Sequence, residues 1–496
     1  MTDATTRTGI EDRALAIAPT ELFIGGEWRP SSTGARFDVH NPATGEVLTT
    51  VASASAEDGR AAMDAAADAQ EAWARTPARR RSDLLRAAFE RIHALGEEFA
   101  ALMTLEMGKP LSDARAEVTY GAEFVRWYSE EAVRLNGRYV PSPEGNLRIL
   151  TVRRPVGPCL FITPWNFPLA MATRKIAPAL AAGCTVILKP AALTPLTSMA
   201  FVRVLDEVGV PAGVVNLVPT EDARPVTGPI IQDPRLRKLS FTGSTPVGKA
   251  LLKEAASNVL RTSMELGGCA PFIVFGDADL EVAVENAVRT KMRNIGQACT
   301  ASNSFFVHAS VADEFTRRFA ERLGSLSIGN GLDDGVDVGP LVSATQRDDV
   351  DALVQAAVGS GATVETGGCA VDGPGFFYAP TVLGNVPADA PILSSEIFGP
   401  VAPVTTFETE DEVIERANRS EVGLAGYVYT NDLSRVLRLS ERLEVGLLGV
   451  NSGSTSNAAA PFGGFKHSGL GKEGGPEGIE EYLDTVYVGL TDPFAG

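Results

Sequence analysis

Three side chains, scattered over 134 residues of sequence, have the chemistry of a covalent catalytic site. Cys299 lies in N-I-G-Q-A-C-T-A-S-N, residues 294–303, between a helix-like and a strand-like segment. A cysteine nucleophile needs a thiolate population and access to its substrate. A free cysteine taken alone is more often a small apolar residue in a core. Glu265 of "SMELGG" stands before a Gly-Gly turn and an apolar strand. Such a carboxylate suits a general base with a raised pKa, or is simply an exposed residue at a turn. Asn166 of "TPWNFP" sits between two prolines after the strand "CLFIT". Its amide could stabilise an oxyanion or merely close a turn.

Two further segments point to a nucleotide. "FTGSTPVGKA", 241–250, contains G-x-x-x-x-G-K from Gly243 to Lys249 but continues with Ala250. A Walker A loop needs a Ser or Thr hydroxyl there for Mg²⁺, so an NTPase is poorly supported. The loop can still receive a phosphate at a helix N-terminus, or be a plain strand-to-helix turn. Lys189 of "TVILKPAALTP" ends a buried strand, as a ligand contact or a solvated charge.

Composition removes other classes. The formal charge is −18, which disfavours nucleic acid and anionic membranes, so an anionic substrate requires a local cluster of cations. The five cysteines, Cys159, Cys184, Cys269, Cys299 and Cys369, are odd in number and form no C-x-x-C. No disulfide framework and no metal site is expected, and free thiols suit a cytoplasmic location. None of His40, His93, His308 and His467 shows a local signature that ties it to Cys299. The N-terminus carries acidic residues and no long apolar run, and no 18-residue apolar stretch occurs, so neither a signal peptide nor a membrane span is expected.

The elements that would hold these residues are α/β. Residues 1 to about 20 read as a loose tail, and "LFIGGEWRPSS" as a hairpin turning at Gly-Gly. From about 56 to 136 the pattern is helical, with Ser55 and Asp58 as a capping-box signal. From 158 to 262 strands alternate with helices of ten to fifteen residues, which indicates a parallel sheet of βαβ units. A second such series follows, giving two doubly wound α/β domains with a cleft between them.

Together the segments resemble the NAD(P)-dependent aldehyde dehydrogenase superfamily. "TPWNFP", "LKPA..TP", "FTGSTPVGK", "ELGG", "GQAC", "EIFGPV" and "PFGGFKHSGLG" follow one another in family order from 163 to 471. The resemblance implies that Cys299 attacks an aldehyde to form a thiohemiacetal, with the oxyanion held by Asn166 and the Cys299 amide. Hydride passes to the nicotinamide, and Glu265 activates the water that hydrolyses the thioester. Cofactor positions implied are Thr163, Pro164, Trp165, Lys189, Ala191, Ala192, Gly243, Ser244, Leu266, Gly267, Glu396 and Phe398. Among these, Lys189 matches a residue at the adenosine ribose and Ser244 one at the phosphates. Glu396 and Phe398 match the positions that hold the nicotinamide ribose and ring.

Within the superfamily the chain is most similar to succinate-semialdehyde dehydrogenases, through "TRKIAPALAAGCTVILKPA" and "GLGKEGGPEGIEEYL". That implies a substrate carboxylate held by Arg174, Arg293 and Ser456, either arginine being otherwise a structural ion pair. Succinate semialdehyde is the first expectation and glutarate semialdehyde the second, with aromatic and aliphatic aldehydes as alternatives. A non-catalytic protein on this fold is disfavoured by Cys299, Glu265 and Asn166 together, and a CoA-acylating enzyme by Glu265. Relatives that prefer NAD often carry a glutamate at the position of Ala192. An alanine leaves room for a 2′-phosphate, so NADP is preferred and NAD possible.

Three departures from the pattern stand out. Cys269 replaces the usual Asn after "ELGG", "VPTEDARPVTG" lacks a glycine near Thr220, and Ala301 replaces a second cysteine, excluding a redox switch between Cys299 and a thiol two residues later. The expected organisation is a cofactor domain of 20–133 and 152–262 and a catalytic domain of 263–445. A segment 446–482 returns to the cofactor domain, and 134–151 with 483–496 form an oligomerisation arm. The arm implies a homodimer or homotetramer.

Overall fold

The structure, a computed structural model, describes residues 4–494. Two large sheets meet end to end. The first has eight strands in the order Glu27–Arg29, Leu22–Ile24, Val215–Leu217, Val186–Lys189, Cys159–Ile162, Lys238–Thr242, Arg261–Glu265, Gly469–Leu470. The five from Val215–Leu217 to Arg261–Glu265 are parallel. They are short apolar runs buried on both faces, as a sheet covered by helices on both sides requires. Starting at Cys159–Ile162 the chain builds outward by two strands, then returns to lay Lys238–Thr242 on the other side. The crevice outside the carboxyl ends at such a reversal is where open α/β sheets take ligands. Thr163–Asn166 and Gly243–Ser244 emerge there.

The second sheet has seven strands in the order Thr363–Thr366, Thr381–Gly384, Val401–Phe407, Ser302–His308, Ala270–Val274, Ala425–Tyr429, Leu447–Val450. All but the first run parallel to their neighbours. A third sheet of three antiparallel strands joins Leu483–Thr491 to Leu147–Pro155 and Tyr139–Pro141. Residues 495 and 496 of the expected arm lie outside the described residues.

The direct link between the large sheets is four residues long. Glu265 ends a strand of the first, and Ala270 begins a strand of the second. Carboxyl ends of one sheet therefore face amino ends of the other across the Leu266–Cys269 turn. The turn is tight: a Cβ on Gly268 would lie 2.8 Å from the Cys299 carbonyl oxygen.

The helical stretch is four helices, Ala56–Arg75, Ala78–Ala94, Gly96–Met107 and Leu111–Glu131. Ser55 closes the expected capping box: its hydroxyl accepts from the Glu57 and Asp58 amides, and Asp58 accepts from the Ser55 amide. Residues 4–16 are not a loose tail but a helix, Ala4–Ala16; residues 1–3 lie outside the described residues. Weak amphipathicity hid it. It docks on Gly96–Met107 through fully buried Ala14, and Arg203 caps it at the Ala16 carbonyl, 2.9 Å. The loop near Thr220 leads into a helix, Ala223–Gln232, whose two prolines masked it in the sequence. No helix among the described residues is long and apolar enough to cross a membrane.

The Gly268 contact yields a test of the junction. Gly268→Ala must displace the Cys299 main chain, so turnover is expected to fall at least about tenfold while the folded protein persists. Steady-state kinetics beside a thermal melt check it. Unchanged turnover would show that the turn and Cys299 are not mechanically joined.

Candidate active site

The chain reaches Cys299 through a strained approach. After the helix Leu280–Met292, Asn294 and Ile295 adopt left-handed backbone angles, φ 55° and 59°, and Gly296 has φ 73°. A β-branched residue there is an outlier that persists only when its surroundings over-determine it. Ile295 is buried in the core of the second sheet. The Asn294 amide donates to Asp113, 2.7 Å, and the Asn294 side chain donates to the carbonyls of Asn166, 3.0 Å, and Gln297, 2.8 Å. Gly296 admits no side chain, since a Cβ would meet the Gly399 carbonyl at 2.1 Å.

Cys299, Asn166 and Glu265 line one cavity of about 320 Å³ with Pro164, Trp165, Gly243, Ser244, Leu266, Gly267, Glu396 and Phe398. Cys299 is half-buried. Burial pushes its thiol up to about 12, Arg174 opposes the shift, and Glu265 and Glu396 add to it. Asn166 donates from Nδ2 to the Gln297 carbonyl, 3.0 Å, while its Oδ1 has no partner among the described residues.

Glu265 is buried and one of its carboxylate oxygens is unpartnered. Burial first, and the negative Glu473 second, hold its proton well above the usual carboxylate range, against Arg174, Lys175 and Lys472. Glu473 goes the other way. Burial alone would raise it, but its ion pairs with Lys175 and Arg174 pull it down to about 2. Of these two buried carboxyls, Glu473 therefore carries the charge and Glu265 the proton. Sequence analysis missed Glu473 and Lys175. They stand 298 residues apart, and only the glycines flanking "KEGG" hinted at a special position.

The cofactor candidates surround the first sheet's crevice. Ser244 is the N-cap of the helix Thr245–Ala255 and leaves that terminus without a side-chain cap. Thr163 and Thr242 end neighbouring strands and carry buried hydroxyls without partners among the described residues. Lys189 is mostly buried, its ammonium has no hydrogen bond or ion pair among the described residues, and burial lowers it to about 8. Ala191 and Ala192 follow it, partly buried. Glu396 accepts from the Gly268 amide, 3.2 Å, and burial raises it to about 7. Phe398, at φ 52°, meets Trp165 edge-on at 5.4 Å. An uncapped helix terminus, a lone ammonium and orphaned hydroxyls are a donor set fitted to a phosphorylated, ribose-bearing ligand.

Across the Asn166–Phe167 segment lies a second cavity of about 410 Å³, lined by Phe167, Tyr120, Arg289, Arg293, Ser454 and Ser456 with Asp113, Glu117 and Asp337. Arg293 packs over Phe167, 5.0 Å, and Tyr120, 5.4 Å. Its guanidinium makes no hydrogen bond or ion pair among the described residues. Ser456 shares a hydrogen bond with Tyr120. Arg174 differs: it is buried, ion-paired to Glu473, and stacked 4.1 Å from the Phe462 ring. Cys269 turns away from these cavities' chemistry. Its thiol meets the Ser394 carbonyl at 3.4 Å, and burial pushes it up to about 12. No metal-holding cluster of His, Cys, Asp or Glu occurs among the described residues.

The profile of the Aldehyde dehydrogenase family matches residues 28–488. The chain belongs to the aldehyde dehydrogenase family. This aldehyde dehydrogenase is 61% identical to a succinate-semialdehyde dehydrogenase of Paenarthrobacter nicotinovorans over 90% of the chain and 100% of the relative. It is 45% identical to a glutarate-semialdehyde dehydrogenase of Pseudomonas putida over 94% and 97%. The crystal structure of an E. coli NADP-dependent enzyme superposes with a TM-score of 0.95, at 44% identity, over 96% of this chain and 99% of that one. As an aldehyde dehydrogenase the protein is an oxidoreductase that oxidises an aldehyde with a nicotinamide dinucleotide.

The raised thiol has a direct readout. Alkylation of Cys299 by iodoacetamide in the free protein depends on thiolate. Its rate is expected to climb about tenfold per pH unit from 7 to 10 with no plateau. A plateau below pH 8, followed by mass spectrometry of the Cys299 peptide, would show an activated resting thiol instead.

Proposed function

We propose that this aldehyde dehydrogenase oxidises a short semialdehyde bearing a terminal carboxylate. Succinate semialdehyde is the preferred substrate and glutarate semialdehyde the second, with NADP preferred over NAD. The observation that carries this reading is the unpaired guanidinium of Arg293 in a cavity that adjoins the Cys299 site. A protein of net charge −18 needs such a local cation to receive an anion, and guanidinium forks a carboxylate. Ser456 and Tyr120 supply hydroxyls beside it. Arg174 adds to the anchor, but it shares its guanidinium with Glu473, so Arg293 carries the larger part.

In this reading Cys299 Sγ first releases its proton to solvent and then, as the thiolate, attacks the aldehyde carbon. The developing oxyanion is received by Asn166 Nδ2, whose second N–H is left over from its bond to the Gln297 carbonyl, and by the Cys299 amide. The helix terminus at Ser244 would hold the phosphates, with Lys189 at the adenosine ribose and Glu396 at the nicotinamide ribose. NADP, when bound, supplies the acceptor for the substrate's hydride. Glu265 then draws a proton from the water that hydrolyses the Cys299 thioester. Its raised pKa makes it a competent base once it has released its own proton. Ala192 supports NADP: it places no carboxylate near Lys189, whose ammonium is left to pair with a 2′-phosphate.

The three-stranded sheet leaves Tyr139, Val140, Val152, Tyr487 and Leu490 exposed, a surface that suits a homodimer or homotetramer. The five unpaired thiols suit a cytoplasmic site.

Two measurements test the reading. Against an aldehyde panel, Arg293→Ala is expected to lose roughly 10- to 100-fold in kcat/KM for carboxylate-bearing aldehydes and little for neutral ones. Arg174→Ala, which also unbalances Glu473, should depress both classes. Equal losses in Arg293→Ala would remove the carboxylate anchor. Separately, kcat/KM is expected to be higher with NADP than with NAD, and Ala192→Glu to reverse the order. Wild-type preference for NAD would overturn the cofactor assignment.

A further inference from the structure

We propose that Lys109 is a positioning residue for the reaction, fixing Asn166 in the orientation from which its amide meets the oxyanion. The inference rests on the oxyanion role given to Asn166 above. Lys109 is fully buried beyond the helix Gly96–Met107 and forms an ion pair with equally buried Glu117. Burying two charges is expensive, and an apolar pair of the same volume would often be as stable or more so. What the ammonium does besides pairing is specific. It donates to the main-chain carbonyl of Asn166, 2.9 Å, and lies 4.2 Å from the ring centre of Phe167, the next residue.

Asn166 needs that external hold. Its side chain makes one hydrogen bond, to the Gln297 carbonyl, and its Oδ1 is unpartnered among the described residues. Its position is thus set through the main chain. There each neighbouring group is tied by a side chain from elsewhere. Thr194 donates to the Trp165 carbonyl, 3.0 Å, and Ser198 to that of Pro168, 3.1 Å. Glu117, the partner of Lys109, accepts from the Leu169 and Ala170 amides, 3.0 and 3.2 Å. The ion pair therefore grips the segment on both sides of its turn: the cation holds a carbonyl before it, and the anion holds two amides after it. Asn294 gives the Asn166 carbonyl its second donor, which joins this grip to the strained approach to Cys299.

The test is a mutant cycle in the full-length protein, with aldehyde and both cofactors. Lys109→Met/Glu117→Gln removes the donor without stranding a charge. It is expected to lower kcat about 50-fold, near the loss from removing one oxyanion donor, with KM for the aldehyde changed less than about threefold. Lys109→Gln/Glu117→Gln restores an amide donor and should recover at least part of that loss. In the Asn166→Ala background both double substitutions are expected to cost nothing more, because their effect passes through Asn166. The Gln/Gln protein carries the cycle by itself if the Met/Gln protein fails to fold. A wild-type kcat in the Met/Gln protein, or losses from either that multiply fully with Asn166→Ala, would overturn the proposal. A wild-type kcat in Asn166→Ala itself would instead remove the oxyanion role.

Discussion

One carboxylate held between two cations organises the centre of this molecule. Glu473 pairs with Arg174 and Lys175, consecutive residues of one helix, in a place where none of the three reaches solvent. Leaving any of the three unpaired would strand a buried charge, so the helix Ala170–Ala182 and the glycine-rich segment around 469–475 are locked together. That segment also adds a strand to the first sheet beside Glu265, Gly469 opposite it. The negative end of the triad keeps the proton on Glu265, and its positive end opposes the rise of the Cys299 thiol. The same charges that fix the architecture bias the protonation of Glu265 and Cys299.

The second organising device is conformational. Both strand-end loops that bring side chains to the cavity, Asn294–Gly296 and Glu396–Phe398, contain positive φ at non-glycine residues. They contact each other, since Gly296 packs on the Gly399 carbonyl. Strain in one is contained by the other, and both abut the amino ends of the second sheet. The Cys299 thiol is thereby presented by backbone that cannot relax without disturbing the loop carrying Glu396.

Much of this was legible in the chain. Short apolar runs such as "CLFI" and "VILK" separated by helices ending at Gly183 and near Gly209 yield the parallel sheet, because burial on both faces leaves no alternation to read. The capping box at Ser55 appears as expected. Cys299, Glu265 and Asn166 share one cavity, as motif chemistry anticipates. The misses have physical reasons. Helix Ala4–Ala16 has almost no apolar face and forms through docking, not through periodicity. Ala223–Gln232 hides behind its prolines. Lys109, Glu117, Lys175 and Glu473 read as ordinary surface charges until the fold removes their water. No local pattern announces an ion pair whose partners lie 298 residues apart. Arg174 and Arg293 look alike in sequence, yet one is neutralised and the other is not.

The protonated state of Cys299 also bears on durability. Thiolates attack peroxides and other electrophiles, and a thiol pushed up to about 12 offers very little thiolate. Ala301 leaves no sulfur two residues on that could trap a sulfenic acid as a disulfide and return it by reduction. A protein without that rescue gains most from keeping its sulfur protonated while idle. Burial, which keeps the Cys299 thiol unreactive at rest, is then also what shields it from oxidation.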